Sequence, residues 1–89
     1  MAVAVLYEFQ GMTQEHYDRF IEDAYQGRQM PGVISHAAGP TSDGWWAFDV
    51  YDSQGFADAI GSPAIGRLKE MGIAEPHVRT FQVHISQTG

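Results

Sequence analysis

The chain contains no cysteine. That excludes disulfides, thiolate metal sites and cysteine nucleophiles together, and it leaves the redox compartment unmarked by thiols. Basic residues are scarce: 5 Lys and Arg stand against 11 Asp and Glu, for a formal net charge of −6. No basic cluster is present, so neither nucleic acid nor an anionic membrane is expected as a partner. Long apolar runs are absent. The opening stretch MAVAVLYEF lacks a basic flank and is too short for a secretory signal, and nothing approaches a membrane span. Cytoplasm is the expected compartment. There is no G-x-G-x-x-G, no Walker loop and no G-x-S-x-G, so no cofactor is expected. The four histidines never fall in H-x-x-x-H or H-E-x-x-H spacing, and no metal site is expected.

What remains is a compact vocabulary of apolar and aromatic residues. The 89 residues are 44% hydrophobic and 18% charged, which suits one globular domain over 1–89. A β-branched and aromatic run predicts a strand over 2–9, ended by Gly11. Thr13 is a good N-cap. Tyr17, Phe20, Ile21, Ala24 and Tyr25 then recur at helical spacing and predict an amphipathic helix. Gly27 closes it, and Met30-Pro31-Gly32 is a connector. Strands are predicted over 33–38 and 45–51, joined as a hairpin by the turn-forming run 39–44. Ser53 caps a second helix. Gly61-Ser62-Pro63 is expected to break it, with a restart through Ile65, Leu68 and Met71 to a stop at Gly72. A last strand is predicted over 77–86. The order β-α-β-β-α-β is the ferredoxin-like α+β plan. It implies one four-stranded antiparallel sheet in the order 4-1-3-2, with both helices on one face.

Alternation divides each strand between two faces. Val3, Val5, Tyr7 and Phe9 oppose Ala2, Ala4, Leu6 and Glu8. Trp46, Phe48 and Val50 oppose Trp45, Ala47, Asp49 and Tyr51. Phe81, Val83 and Ile85 oppose Val78, Thr80, Gln82 and His84. Placing the more apolar set of each strand under the helices leaves a mixed face: Leu6, Ile34, Trp45, Ala47, Tyr51 and Val78 beside His36, Asp49, Thr80, Gln82 and His84. Such a face is too apolar for water and too polar for a dry core. A second copy packed sheet to sheet would cover it. The expectation is an isologous homodimer with an amphiphilic cavity between the sheets.

The element order, the run His36-Ala37-Ala38-Gly39-Pro40, the stretch Asp43-Gly44-Trp45 leading to Asp49-Val50-Tyr51-Asp52-Ser53, and the late Val83-His84 resemble the small dimeric α/β-barrel proteins close to the antibiotic-biosynthesis-monooxygenase-like group. The resemblance covers nearly the whole chain. It implies a ferredoxin-like dimer whose sheets close a barrel-like cavity. The activities it implies range over cofactor-free monooxygenases, cyclases, isomerases, haem-degrading enzymes and stress-response proteins. The oxygenases of the group set a tryptophan, an asparagine and a tyrosine around an oxidisable phenol. Trp45 and Tyr51 match two of those roles, but the chain has no asparagine. The haem-degrading members also rely on an asparagine.

His36 and Asp49 are the pair to which chemistry is assigned. If the hairpin pairs Ala38 with Trp45, His36 lies diagonal to Asp49 on one face, about 7–8 Å away and within reach of its side chain. Asp49 would fix the imidazole tautomer and raise its basicity, giving a general base. A structural pair satisfying itself across two strands is the competing reading. Trp45 and Tyr51 are assigned to holding a flat ligand, with Leu6, Ile34 and His84 lining the same cavity. Ser35 faces the helices on this assignment. The functional expectation is binding of an apolar or aromatic small molecule, with a cofactor-independent monooxygenase, cyclase or isomerase step open. A non-catalytic binding or stress-response dimer, and a dry assembly module, are the alternatives.

Overall fold

The structure, a computed structural model, describes residues 1–27 and 32–84. Its elements are β1 (Val3–Gln10), α1 (Gln14–Tyr25), β2 (Val33–Pro40), β3 (Gly44–Tyr51), α2 (Gln54–Glu70) and β4 (His77–Gln82). All three strand pairs are antiparallel, and the sheet runs β2-β3-β1-β4. That is the expected ferredoxin-like order read from the other edge. Met30 and Pro31 of the connector, and Ile85 and Ser86 of the predicted last strand, lie outside the described residues.

Local chemistry explains the boundaries. Thr13 is extended (φ −105°, ψ 167°) and its hydroxyl accepts from His16 N–H, while the Thr13 N–H donates to His16 Nδ1. This is a capping box with histidine where glutamate or glutamine usually stands. α1 ends at Gln26 in the left-handed region (φ 51°). The β2–β3 turn is closed by Thr41 N–H to Gly44 O at 2.9 Å, and Gly11 N–H reaches Asp43 O at 2.7 Å. Gly44 must be glycine because a Cβ there would lie 1.8 Å from the Phe9 carbonyl oxygen.

α2 runs unbroken from Gln54 to Glu70 with Pro63 inside it, so the predicted interruption does not occur. Proline removes one backbone donor and crowds the preceding turn. Ser53 at the N-cap and the burial of Ala57, Gly61 and Leu68 against the sheet carry the helix across that defect.

The larger correction concerns which face the helices cover. Opposed residues of neighbouring strands share a face. β1 and β3 pair Val3 with Tyr51, Val5 with Asp49, Tyr7 with Ala47 and Phe9 with Trp45. The set Trp45, Ala47, Asp49 and Tyr51 therefore joins Val3, Val5, Tyr7 and Phe9 in the core under the helices, with Met12, Phe20, Ala57, Leu68 and Ile73. Each large side chain fully buried there contributes about 1.5–3 kcal/mol. Trp46, Phe48, Val50 and Phe81, expected under the helices, lie instead on the open face with Ala4 and Leu6. Ser35, opposite Val50, is also on the open face. Alternation separates the two tryptophans correctly. Apolarity alone then assigns them to the wrong sides, because it ranks Asp49 as unfit for a core that in fact satisfies it.

Candidate functional site

The hairpin register sets the site. β2 and β3 pair Ala38 with Ala47 and His36 with Asp49, not Ala38 with Trp45. His36 and Asp49 are thus direct neighbours across the strands rather than diagonal ones. A bulge between Val33 and Ser35 takes up the odd residue, Ile34. Asp49 is 7% exposed and is the one buried charged residue among those described. A buried carboxylate requires donors, and this one has two. Its Oδ1 contacts His36 Nδ1, and its Oδ2 accepts from Tyr51 Oη–H at 3.0 Å.

The contacts continue in both directions. Tyr51 Oη lies 3.2 Å from Tyr7 Oη, and His36 Nε2 contacts the phenol of Tyr17. The proton positions follow from the middle. An ionised carboxylate only accepts, so His36 carries its proton on Nδ1 and Tyr51 gives its proton to Asp49. Nε2 is left as an acceptor for the Tyr17 hydroxyl, and Tyr51 Oη is left as an acceptor for Tyr7. The chain reads Tyr7 to Tyr51 to Asp49, and Tyr17 to His36 to Asp49. Every donor points toward one carboxylate.

The tyrosines stay protonated in this setting. Burial, then the Asp49 charge, pushes the Tyr17 phenol up to about 12. Burial raises Tyr51 furthest, with its bond to Tyr7 and the Asp49 charge adding to the shift. Tyr7 and Tyr25 are raised chiefly by burial as well.

This network forms the polar wall of a cavity between the sheet and the helices. Tyr7, Tyr17, His36, Asp49 and Tyr51 line it together with Phe9, Met12, Phe20, Ile21, Ile60, Ile65 and Leu68. The space open to the centre of a water molecule is about 50 Å³. This cavity lies within the single chain, between the sheet and the helices.

The predicted site residues fall into two groups. His36, Asp49 and Tyr51 are brought together on the cavity wall. Trp45 shares their face and is 8% exposed, but it stands behind Tyr17, ring centroids 5.3 Å apart, rather than on the cavity surface. Its indole N–H has no hydrogen-bond acceptor among the described residues. Leu6 lies on the opposite, open face, across from Phe48. Ile34 sits at the bulge and is 37% exposed. His84 is exposed beyond the end of β4. None of these three reaches the cavity. Two participants, Tyr7 and Tyr17, are not anticipated as site residues. A signal for them exists in the sequence: each is a phenol within an apolar stripe, and a buried hydroxyl needs a partner.

No group of three or more potential metal ligands occurs among the described residues. No described helix is long and apolar enough to cross a membrane.

No family model matches the chain, and no curated protein matches it in sequence. Solved structures do share its fold. A candidate antibiotic biosynthesis monooxygenase from Chloroflexus aurantiacus J-10-fl superposes with a TM-score of 0.64 at 19% identity, over 100% of this chain and 98% of that one. A mutant of a cofactor-independent oxygenase from Streptomyces nogalater gives 0.64 at 14% identity, over 96% and 95%. A monooxygenase of Streptomyces coelicolor in complex with nanaomycin D gives 0.58 at 17% identity, over 99% and 91%. The chain thus has the ferredoxin-like fold of the antibiotic-biosynthesis-monooxygenase-like proteins.

Proposed function

We propose that this is a cytoplasmic homodimer that takes an apolar or aromatic small molecule into the sheet–helix cavity of each subunit. There it removes a proton from the molecule without a cofactor, as the opening step of a monooxygenase-, cyclase- or isomerase-type reaction. The observation that carries this reading is the hydrogen-bonded chain centred on Asp49, set in the wall of a largely apolar cavity. A neutral imidazole whose far nitrogen is held by a carboxylate is a base, and the imidazolium it becomes is stabilised by the same carboxylate. Fold-mates that act as a cofactor-independent oxygenase and that bind nanaomycin D make a ring-shaped ligand a reasonable occupant. The likeness is one of fold, and the residues here must supply their own chemistry.

Size adds a requirement. A ring-sized ligand needs a pocket of roughly 300 Å³ or more. The present space is about 50 Å³, so uptake has to part α1 and α2. The homodimer rests on the open sheet face, where Leu6, Trp46 and Phe48 are half-buried and Phe81 is 41% exposed. An apolar face of that kind is covered in a stable assembly.

The test is native mass spectrometry of the purified protein, reading oligomeric mass and retained small molecules, followed by turnover of any molecule found. His36→Ala should then lower turnover at least about 100-fold. An unchanged rate rejects the base. A protein that retains nothing and binds no aromatic compound reduces the Asp49 chain to a structural network.

A further inference from the structure

We propose that Tyr17, rather than His36, is the group that meets the ligand, and that it passes the ligand's proton to His36. This rests on the functional reading above and goes further in naming the atom that touches the reacting group.

Nδ1 of His36 is committed to Asp49, and Nε2 is covered by the Tyr17 phenol at 2.5 Å. Both ring nitrogens are therefore occupied, and a ligand cannot reach either directly. Tyr17 Oη has used its proton on His36, which leaves its lone pairs as acceptors. Tyr17 lines the cavity from α1, and its ring packs against Trp45 with centroids 5.3 Å apart. The ring planes of Tyr17 and His36 lie within 5° of parallel with centroids 6.2 Å apart, so the phenol meets the imidazole through its oxygen rather than ring on ring.

The step balances. A ligand X–H gives its proton to Tyr17 Oη as the Tyr17 proton moves to His36 Nε2. The X–H and Tyr17 O–H bonds break, and a new Tyr17 O–H and an Nε2–H form. The products are the anion X⁻, a neutral phenol and an imidazolium paired with Asp49. No oxidant or cofactor enters. Tyr17 never has to exist as a free phenolate, which its high proton affinity would forbid near neutral pH.

The test uses the intact protein, with para-nitrophenol as the probe because its ionisation is visible. Binding is followed by tryptophan fluorescence and ionisation by phenolate absorbance, at a pH one unit below the probe's solution pKa. The bound probe is expected to be mostly ionised in the wild type. In Tyr17→Phe, which keeps the ring, the bound probe should show at least about 10-fold less phenolate, with binding weakened by no more than the lost ionisation accounts for. Nitrogen-15 spectra of His36 without ligand should give the Nδ1–H tautomer, with the Nε2 signal moving in Tyr17→Phe. Undiminished ionisation in Tyr17→Phe, or an Nε2–H tautomer in the wild type, overturns the relay and leaves the His36 base standing. A wild-type protein that does not take up the probe, or holds it neutral, overturns the functional reading and the relay with it.

Discussion

At the scale of single residues, Asp49 organises the interior. One carboxylate, 7% exposed, receives the protons of an imidazole and a phenol, and two further phenols complete the chain. The arrangement has a pH signature. Tyr17 rises from an ordinary value of 10.0 to about 12 in the folded protein, with Tyr7, Tyr25 and Tyr51 also raised. The folded state holds phenol protons that the unfolded state has released, so it binds more protons over that interval and stability falls as pH rises. The contribution is whole below about pH 10 and is lost as pH climbs through about 12. Urea midpoints measured from pH 9 upward, beside the phenolate absorbance, should fall together over that window. Midpoints that stay flat while the tyrosines ionise would show that the phenols are not held. His36 and Asp49 are legible in the sequence as a pair, because alternation puts them on one face for any register shifted by two. Tyr7 and Tyr17 are not, because a phenol in an apolar stripe reads as core until the buried acceptor opposite it is known.

At the scale of elements, caps, turns and strand order are local and follow from sequence. Thr13 and Ser53 cap the helices as their residue type suggests. Which side of β3 faces the helices is not local. It depends on the register of β1 against β3, set by contacts between residues 44 positions apart such as Tyr7 and Tyr51. A ranking by apolarity picks the wrong side there. α2 shows the opposite failure: a strong local breaker is overridden by packing. Pro63 inside that helix costs one hydrogen bond. Pro63→Ala should therefore raise unfolding stability by about 1–3 kcal/mol in urea, with helix content by circular dichroism unchanged or higher. A loss of stability would mean that the proline shapes the helix for its packing against the sheet.

At the scale of the whole molecule, the two faces of the sheet divide the work. The covered face holds the cavity and its polar wall. The open face carries Leu6, Trp46, Phe48, Val50 and Phe81, the apolar surface on which the proposed homodimer rests. Phe48, half-buried and opposite Leu6, lies in the middle of that surface. Phe48→Glu should convert the protein to a folded monomer in sedimentation, at concentrations where the wild type is a dimer. A wild-type monomer, or a variant that still dimerises, would contradict the assignment of that face. The open face and the cavity lie on opposite sides of the sheet, so Phe48→Glu should leave the cavity lining intact.

Binding of a small molecule between sheet and helices, against the Asp49 chain, can be read residue by residue. Methyl resonances during a para-nitrophenol titration test it most directly. Ile60, Ile65 and Leu68, which line the cavity, should shift with the probe, while Leu6 and Val50 on the open face should not. Shifts confined to Leu6 and Val50, or no shifts at any of the five, would contradict it.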